Sequence, residues 1–471
     1  MEPARGRVLQ DGGGGVILKR YYVEGLAHAS YLVGAGGEAA VVDPKRDVDD
    51  YIADAAAKGL RIVAILETHP HADFVSGHVE LARRTGAKIY ISHLAKTAYE
   101  RVPLRDGDVI PVGGIEIVAM ETPGHSPDSV SWLVREDGRP VHVFTGDTLF
   151  VGDVGRPDLR DADEKPTVLA DALYDSLFTK LLALPDETEV HPAHGAGSLC
   201  GRKISSAPFT TIGQERADNW ALAIRERAEF VEAMVANLPD RPAYFAHDVQ
   251  MNLQGAKPLS ELPGLRALSE EELKAGGIVI DTRSAAAFGA GHFPGSVNIG
   301  IDAALFSTWV GFIVPFGRPI ALVTASADDA TRARLELARI GYDDVPGFIE
   351  AGALTRTHQL SQLSVCDLRT ALHGGEAPLV LDVRTPGEWT KQHIDGALHV
   401  PLPSLPRRLE QIPRDRALAV MCGSGYRSSI AASLLMANGF TKLQNVMGGM
   451  AAFLEADCPL WQPADLVFAE K

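Results

Sequence analysis

Residues 67–78 read ETHPHADFVSGH. The run RIVAIL (61–66) precedes them and has the β-branched, apolar character of a buried strand. It ends just before His69, His71 and Asp73, which occupy alternate positions. Phe74 follows, where a closely related pattern carries a further histidine. Next, DFVSGHVELARRTGA (73–87) predicts a helix closed by Gly86. KIYIS (88–92), IEIVAM (115–120) and HVFTG (142–146) predict further strands. Such alternation implies a layered α/β domain whose polar motifs sit at strand ends. ADNWALAIRERAEFVEAMVANL (217–238) predicts one helix, and LQGAKPLSELPGL (253–265) a linker.

Four downstream motifs extend the opening one: ETPGHS (121–126) with His125, TGDTLF (145–150) with Asp147, GRPD (155–158) with Arg156, and HPAHGAGS (191–198) with His194. A lone histidine at a strand end is usually a surface or hydrogen-bonded residue. Imidazoles and carboxylates recurring at several strand ends point instead to a first-row metal held with coordination positions left open.

The ordered set THPHAD, TPGHS, TGDTLF and PAHG resembles the metallo-β-lactamase superfamily, over about residues 15–250. That resemblance implies an αββα sandwich with the metal at one edge of the paired sheets. Dinuclear hydrolases of the superfamily carry HxHxDH; here one metal would take His69, His71 and His125. The other would take Asp73 and His194 but lack its third ligand, because phenylalanine cannot coordinate iron or zinc. Persulfide dioxygenases of the superfamily hold one Fe(II) per chain through the residues equivalent to His69, His125 and Asp147. His71, Asp73 and His194 would then surround and orient those ligands. The resemblance also suggests that Arg156 meets a substrate carboxylate. An ion pair with Asp153 or Asp158 is the alternative. Cys200, close to His194 in sequence, is open between touching the site and simple packing.

The 471-residue chain suggests about three domains at about 150 residues each. Lys plus Arg number 45 against 61 Asp plus Glu, a formal net charge of -16. A nucleic-acid or anionic-membrane partner is therefore not expected. Cys200, Cys366, Cys422 and Cys458 are scattered. They form no disulfide framework, and Cys366 and Cys458 read as packing residues. MEPARGRVLQDGGGG lacks a secretory core, so a cytoplasmic protein is expected.

The second half holds a diverged repeat. GIVIDTRSAAAFGAGHFPGSVNIG (277–300) matches PLVLDVRTPGEWTKQHIDGALHVP (378–401). Asp281 and Asp382, Arg283 and Arg384, His292 and His393, and Gly295 and Gly396 each lie 101 residues apart. In the second copy, CGSGYRS (422–428) separates a strand, LAVM, from a helix. Backbone N–H groups and the positive end of that helix surround Cys422 and favour a thiolate. Gly423 and Gly425 permit a tight loop, and Arg427 can add a cation for an anionic substrate. With LDVRTPGEW and QHIDGALHVPL upstream, these residues resemble a rhodanese domain. The family implication is sulfur transfer through a Cys422 persulfide. Arg427 would assist, and the loop residues Gly423, Ser424, Gly425, Tyr426 and Ser428 would contact substrate. Asp382, Arg384 and His393 read as structural. The first copy places Thr324 opposite Cys422 and Asp329 opposite Arg427, so it resembles a rhodanese unable to transfer sulfur.

The expected architecture is a metallo-β-lactamase-fold domain (1–255) and two rhodanese-like α/β domains with central parallel sheets (266–357 and 360–471). The whole resembles persulfide dioxygenase–sulfurtransferase fusions. The expected chemistry is O2-dependent conversion of a low-molecular-weight thiol persulfide to sulfite and thiol. Sulfane-sulfur exchange between thiosulfate and a thiol would be coupled to it, in a dimer or tetramer. A dinuclear zinc thioesterase of glyoxalase II type with a rhodanese tail is the alternative. A non-enzymatic persulfide-sensing scaffold fits less well with the intact Cys422 loop.

Overall fold

The computed structural model describes residues 15–160, 164–236, 238, 241–275, 277–303, 305–374, 377–456 and 466–468. It divides into two compact units, one of Met1–Leu262 with Ala338–Gly341, the other of Pro263–Leu337 with Tyr342–Lys471. No described helix is long and apolar enough to cross a membrane.

In the first unit, six strands form one sheet in chain order: β1 (Ile17–Val23), β2 (His28–Ala35), β3 (Glu38–Val42), β4 (Arg61–Leu66), β5 (Lys88–Ser92) and β6 (Val102–Leu104). The second sheet uses β7 (Val109–Val112), β8 (Ile115–Glu121), β9 (Val130–Glu136) and β10 (Arg139–Gly146). After the short hairpin of β11 (Leu149–Phe150) and β12 (Asp153–Val154), it adds β13 (Glu189–Pro192) and β14 (Thr210–Thr211). Its spatial order is β14-β13-β10-β9-β8-β7. Side chains alternate across each strand, so every strand serves two layers. Trp132 and Val134 of β9 face the inter-sheet core with Tyr31, Leu66, Ile117 and Phe144. Leu133 between them faces outward, to Leu173 of helix Pro166–Asp175 and Phe230 of helix Arg227–Val235. On the other sheet, Leu32, Val41 and Ile65 face Tyr51 of helix Asp49–Ala57 and Leu81 of helix His78–Thr85. The result is the αββα sandwich.

Two predicted helices differ from the observed ones. The helix expected from residue 73 begins at His78, because tertiary hydrogen bonds consume the backbone before it. Asn252 Nδ2 donates to the carbonyls of His71 and Phe74, Ser76 N–H donates to Asn252 Oδ1, and Gly77 N–H donates to Pro44 O. The single helix expected over 217–238 is instead two, Ile212–Asp218 and Arg227–Val235. Buried Asn219 donates to Asp153 O and Glu215 Oε2 while accepting from Ala221 N–H, and Trp220 Nε1 donates to Asp153 Oδ1. These bonds outweigh local helix propensity.

The second unit contains two sheets of matching design. One orders its strands Arg266–Ala267, Gly347–Glu350, Ile320–Thr324, Ile278–Asp281, Val297–Asn298; the other Ser361–Leu363, Leu443–Val446, Leu418–Met421, Leu379–Asp382, Leu398–His399. All neighbours in both sheets are parallel. The repeat signature is structural in both copies. Arg283 makes a two-point pair with Asp281 (2.9 and 2.6 Å), and Arg384 repeats it on Asp382. His292 stacks on Phe288 and His393 on Trp389. One cysteine reading is corrected: Cys366 is disulfide-bonded, not merely packed. Cys458 and the N-terminal stretch read for a targeting signal lie outside the described residues.

Candidate metal centre and cysteine loop

Four strands of the first unit end at one edge and deliver the metal motifs there. His69 follows β4, His125 follows β8, Asp147 follows β10 and His194 follows β13. Gly146 turns the chain with φ +52 beside Thr68; a Cβ there would lie 2.5 Å from Thr68 Oγ1, so only glycine fits.

His69, His125 and Asp147 converge, all buried, with one donor atom each within 4.8 Å of the others. His125 Nε2 is 3.5 Å from Asp147 Oδ2. His69 Nε2 and Asp147 Oδ2 are buried without a hydrogen-bond partner. Orphaned acceptors at such depth are costly unless a cation completes them. Burial, then the neighbouring His71, holds the His69 imidazole well below its usual pKa, so it is neutral. Burial would push Asp147 up, but His194 and the other histidines outweigh it and keep the carboxylate ionised. Neutral imidazoles with an ionised carboxylate are in ligand protonation states, and the donor set fits a first-row metal.

The residues around the triad lock it. Thr68 Oγ1 lies 3.1 Å from His69 Nδ1 and donates to Asp43 Oδ2 at 2.9 Å; Thr68 N–H donates to Asp43 Oδ1. His71 Nε2 is 3.2 Å from the same Asp43 Oδ1. Asp43 thus orients His69 through Thr68. Sequence reasoning missed it, although an acidic residue closing VVDP at a strand end was the available signal.

His194 and Asp73 lie beside the triad, and His194 also falls in donor groups with His71 and Asp147 and with Asp73 and Cys200. His194 Nδ1 is 2.7 Å from Asp147 Oδ1 and its Nε2 is 2.8 Å from Asp73 Oδ2. Burial disfavours its charge, yet Asp147 and Asp73 win and hold its pKa well above the usual value. An imidazolium at this position lies between two carboxylates. Phe74 occupies the neighbouring space, 1% exposed, stacked on His28 at 3.7 Å and tilted against His71 at 4.4 Å between ring centroids. His28, from β2, is a second neighbour that sequence reasoning missed. The Cys200 donor lies within 4.8 Å of those of Asp73 and His194, so the cysteine does reach this neighbourhood. Burial and those carboxylates keep its thiol protonated.

Arg156 is buried and makes a two-point pair with Asp158, 2.7 Å on each arm. The ion pair with Asp158, one of the two readings of this residue, is the one the structure displays.

In the second unit, Cys422 follows the strand Leu418–Met421 and is buried. Gly425 N–H donates to its Sγ at 3.1 Å. Gly425 has φ +96 and caps the helix Tyr426–Ala437, a left-handed position suited to glycine. Arg427 is tied to Glu388 by two contacts of 2.7 Å. Its cation is thus paired with a carboxylate. Tyr426 OH donates to Gly300 O of the first copy. A cavity of about 320 Å³ opens beside the loop, with Ser424, Gly425 and Tyr426 on one side and Ser284, Gly300 and Asp302 of the first copy on the other. Ser428 is fully buried behind the loop, its hydroxyl without a partner. In the first copy, Thr324 Oγ1 donates to Ser326 O and Ser326 Oγ to Asp329. That loop satisfies itself and offers no thiol.

The metallo-beta-lactamase superfamily model matches residues 23–194, and the rhodanese-like domain model matches 265–352 and 364–456. A hydroxyacylglutathione hydrolase of Anaeromyxobacter dehalogenans is 33% identical over 47% of this chain and 79% of its own length. The human mitochondrial persulfide dioxygenase ETHE1 is 29% identical over 53% of this chain and 94% of its own. The crystal structure of a metallo-beta-lactamase from Staphylococcus aureus subsp. aureus COL aligns with a TM-score of 0.65 and 31% identity, covering 71% of this chain and 98% of that one. The chain belongs to the metallo-beta-lactamase superfamily, as a member with persulfide dioxygenase relatives whose metal-binding fold is followed by two rhodanese-like domains.

Proposed function

We propose that this chain oxidises a low-molecular-weight thiol persulfide with O2 at a single Fe(II), and moves sulfane sulfur through Cys422. The observation that supports the reading is Phe74, buried against His28 and His71 where the dinuclear pattern carries a histidine ligand, beside a triad of His69, His125 and Asp147 whose donor atoms converge. Bound iron would supply the O2 chemistry that side chains lack. The overall change is RSSH + O2 + H2O → RSH + sulfite + 2 H⁺. Asp43 and Thr68 hold His69 in one orientation. His194 fixes Asp147 through Oδ1 and leaves Oδ2 turned to the site. Arg156 acts as a positioning residue, bracing the 153–158 loop through Asp158. At the second site, Cys422 thiolate attacks the outer sulfur of thiosulfate, sulfite leaves, and an acceptor thiolate then takes the sulfur from the cysteine persulfide.

A dinuclear zinc thioesterase is the second reading, favoured by the hydroxyacylglutathione hydrolase resemblance. One experiment separates them. Protein purified anaerobically is assayed for iron and zinc per chain, for O2 uptake and sulfite with glutathione persulfide, and for S-lactoylglutathione hydrolysis. Iron-dependent O2 uptake abolished by His125→Ala is expected. Zinc-dependent thioester hydrolysis without O2 uptake would establish the second reading.

A further inference from the structure

HPAHG holds a histidine that the metal centre does not use, His191. It lies on β13, two residues from Glu189, so both side chains leave the same face of the strand. β10 runs parallel beside it, and its His142 pairs in register with Glu189. Two adjacent strands therefore bring two imidazoles and one carboxylate together on one sheet face. Strand rise alone puts His142 about 16 Å along β10 from Asp147, and this group shares no residue with the metal centre.

The three donor atoms form a nearly equilateral triangle. His142 Nδ1 to Glu189 Oε2 is 3.1 Å, His191 Nε2 to Glu189 Oε2 is 3.3 Å, and His191 Nε2 to His142 Nδ1 is 3.2 Å. Protons cannot satisfy all three edges. A ring nitrogen is either donor or acceptor, and an ionised carboxylate only accepts. If both N–H groups point at Glu189, they face each other across the third edge. If one nitrogen accepts from the other, its lone pair faces the carboxylate. A cation above the triangle turns all three lone pairs toward itself. Tetrahedral zinc with bonds of about 2.0–2.1 Å keeps its ligands about 3.3 Å apart, which matches the observed edges.

The surroundings favour a cation. The rings of Tyr31, Phe144 and Phe209 flank His191, which is buried, while the side chains of His142 and Glu189 are 17% and 33% exposed. A cavity of about 310 Å³ opens onto His142 and Glu189, and Glu136 and Glu187 add carboxylates to its wall. Access and negative charge thus reach two of the three donor residues.

We propose that His142, Glu189 and His191 form a second metal site in the first unit, for zinc or a similar first-row divalent ion, with one position open to the cavity. The test is equilibrium dialysis of the full chain against micromolar zinc, with Glu189→Gln, His142→Ala and His125→Ala beside the wild type. Both partly exposed ligand variants should lose one zinc equivalent, roughly tenfold or more in affinity, whereas His125→Ala should retain it. Zinc should raise the melting temperature of His125→Ala but not of Glu189→Gln in the same background. Anomalous diffraction at the zinc edge should give a peak bonded to all three donor atoms. Zinc content unaffected by both ligand variants, binding confined to millimolar zinc, or no peak at the triangle would each overturn the site.

Discussion

At the residue scale, a charged His194 lies between Asp73 and Asp147, and the phenyl ring of Phe74 beside it supplies no metal donor. Phe74→His should reverse this balance. The introduced imidazole joins Asp73 and His194, the metal displaces the His194 proton, and Asp147 is shared between two ions. The variant should bind one more metal equivalent than the wild type. Its persulfide-dependent O2 uptake should fall roughly tenfold or more. Losing the stacked ring should also cost about 2–4 kcal/mol of stability, so metal content is measured on protein shown by circular dichroism to be folded. Unchanged metal content would show that something other than the missing ligand keeps the second position closed. The triad itself was legible because each ligand sits in a short Gly- or Pro-bearing motif at a strand end. Asp43 and His28 were not, since a strand-end aspartate and a strand histidine carry no motif. Their roles arise only when β2, β3 and β4 lie side by side.

At the element scale, the short helix Pro386–Lys391 links capping to the cysteine loop. Thr385 accepts from Glu388 N–H, and Glu388 returns the bond to Thr385 N–H, a reciprocal cap. The same Glu388 carboxylate holds Arg427 of the cysteine loop. Burial raises its pKa, but the Arg427 bonds and the cap outweigh burial and bring it from 4.5 down to about 2. A carboxylate depressed by folding stabilises above its unfolded pKa, and that stability is lost as pH falls through the folded one. The window here runs from about 4.5 down to about 2. The full shift would be worth about 3 kcal/mol; with the Glu388 side chain 36% exposed, solvent screening leaves about 1–2 kcal/mol. Glu388→Gln keeps a capping side chain but loses the charge. Denaturant titration should show it less stable by that amount at pH 7, with the difference vanishing towards pH 2. The uncompensated Arg427 should at the same time lower the KM for thiosulfate roughly threefold or more, an effect erased by high salt. A KM that rises would mean Arg427 needs its partner's geometry more than its own charge. Elements were legible to different degrees for a related reason. RIVAIL and KIYIS are strands as read, because their apolar patterns match the burial they receive. The helical stretch read across 217–238 breaks at Asn219 and Trp220, whose bonds to Asp153 join segments far apart in sequence, and no local pattern reports them.

At the scale of the whole molecule, the two candidate sites lie in two units, each built from its own unit's residues. The metal triad draws only on strand ends of the first unit, and the cysteine loop only on the second. The first rhodanese copy keeps the fold but has exchanged the thiol for Thr324, and its remaining contribution is a wall beside Tyr426. Sulfite and persulfide are common to both proposed reactions, so the two sites can exchange material through solution without sharing a residue. That division predicts separable losses. Cys422→Ser should abolish sulfur transfer from thiosulfate yet leave O2 uptake on supplied glutathione persulfide within about twofold, because serine changes one buried atom in a unit that holds none of the triad's donors. His125→Ala should do the converse: no O2 uptake, with thiosulfate sulfurtransfer retained. With thiosulfate and glutathione as the only substrates, O2 uptake should require both residues, and a mixture of the two variants should restore it in proportion to the persulfide released into solution. If either single variant lost both activities while remaining folded, the sites would be coupled through the protein itself, and the division into two self-sufficient centres would fail.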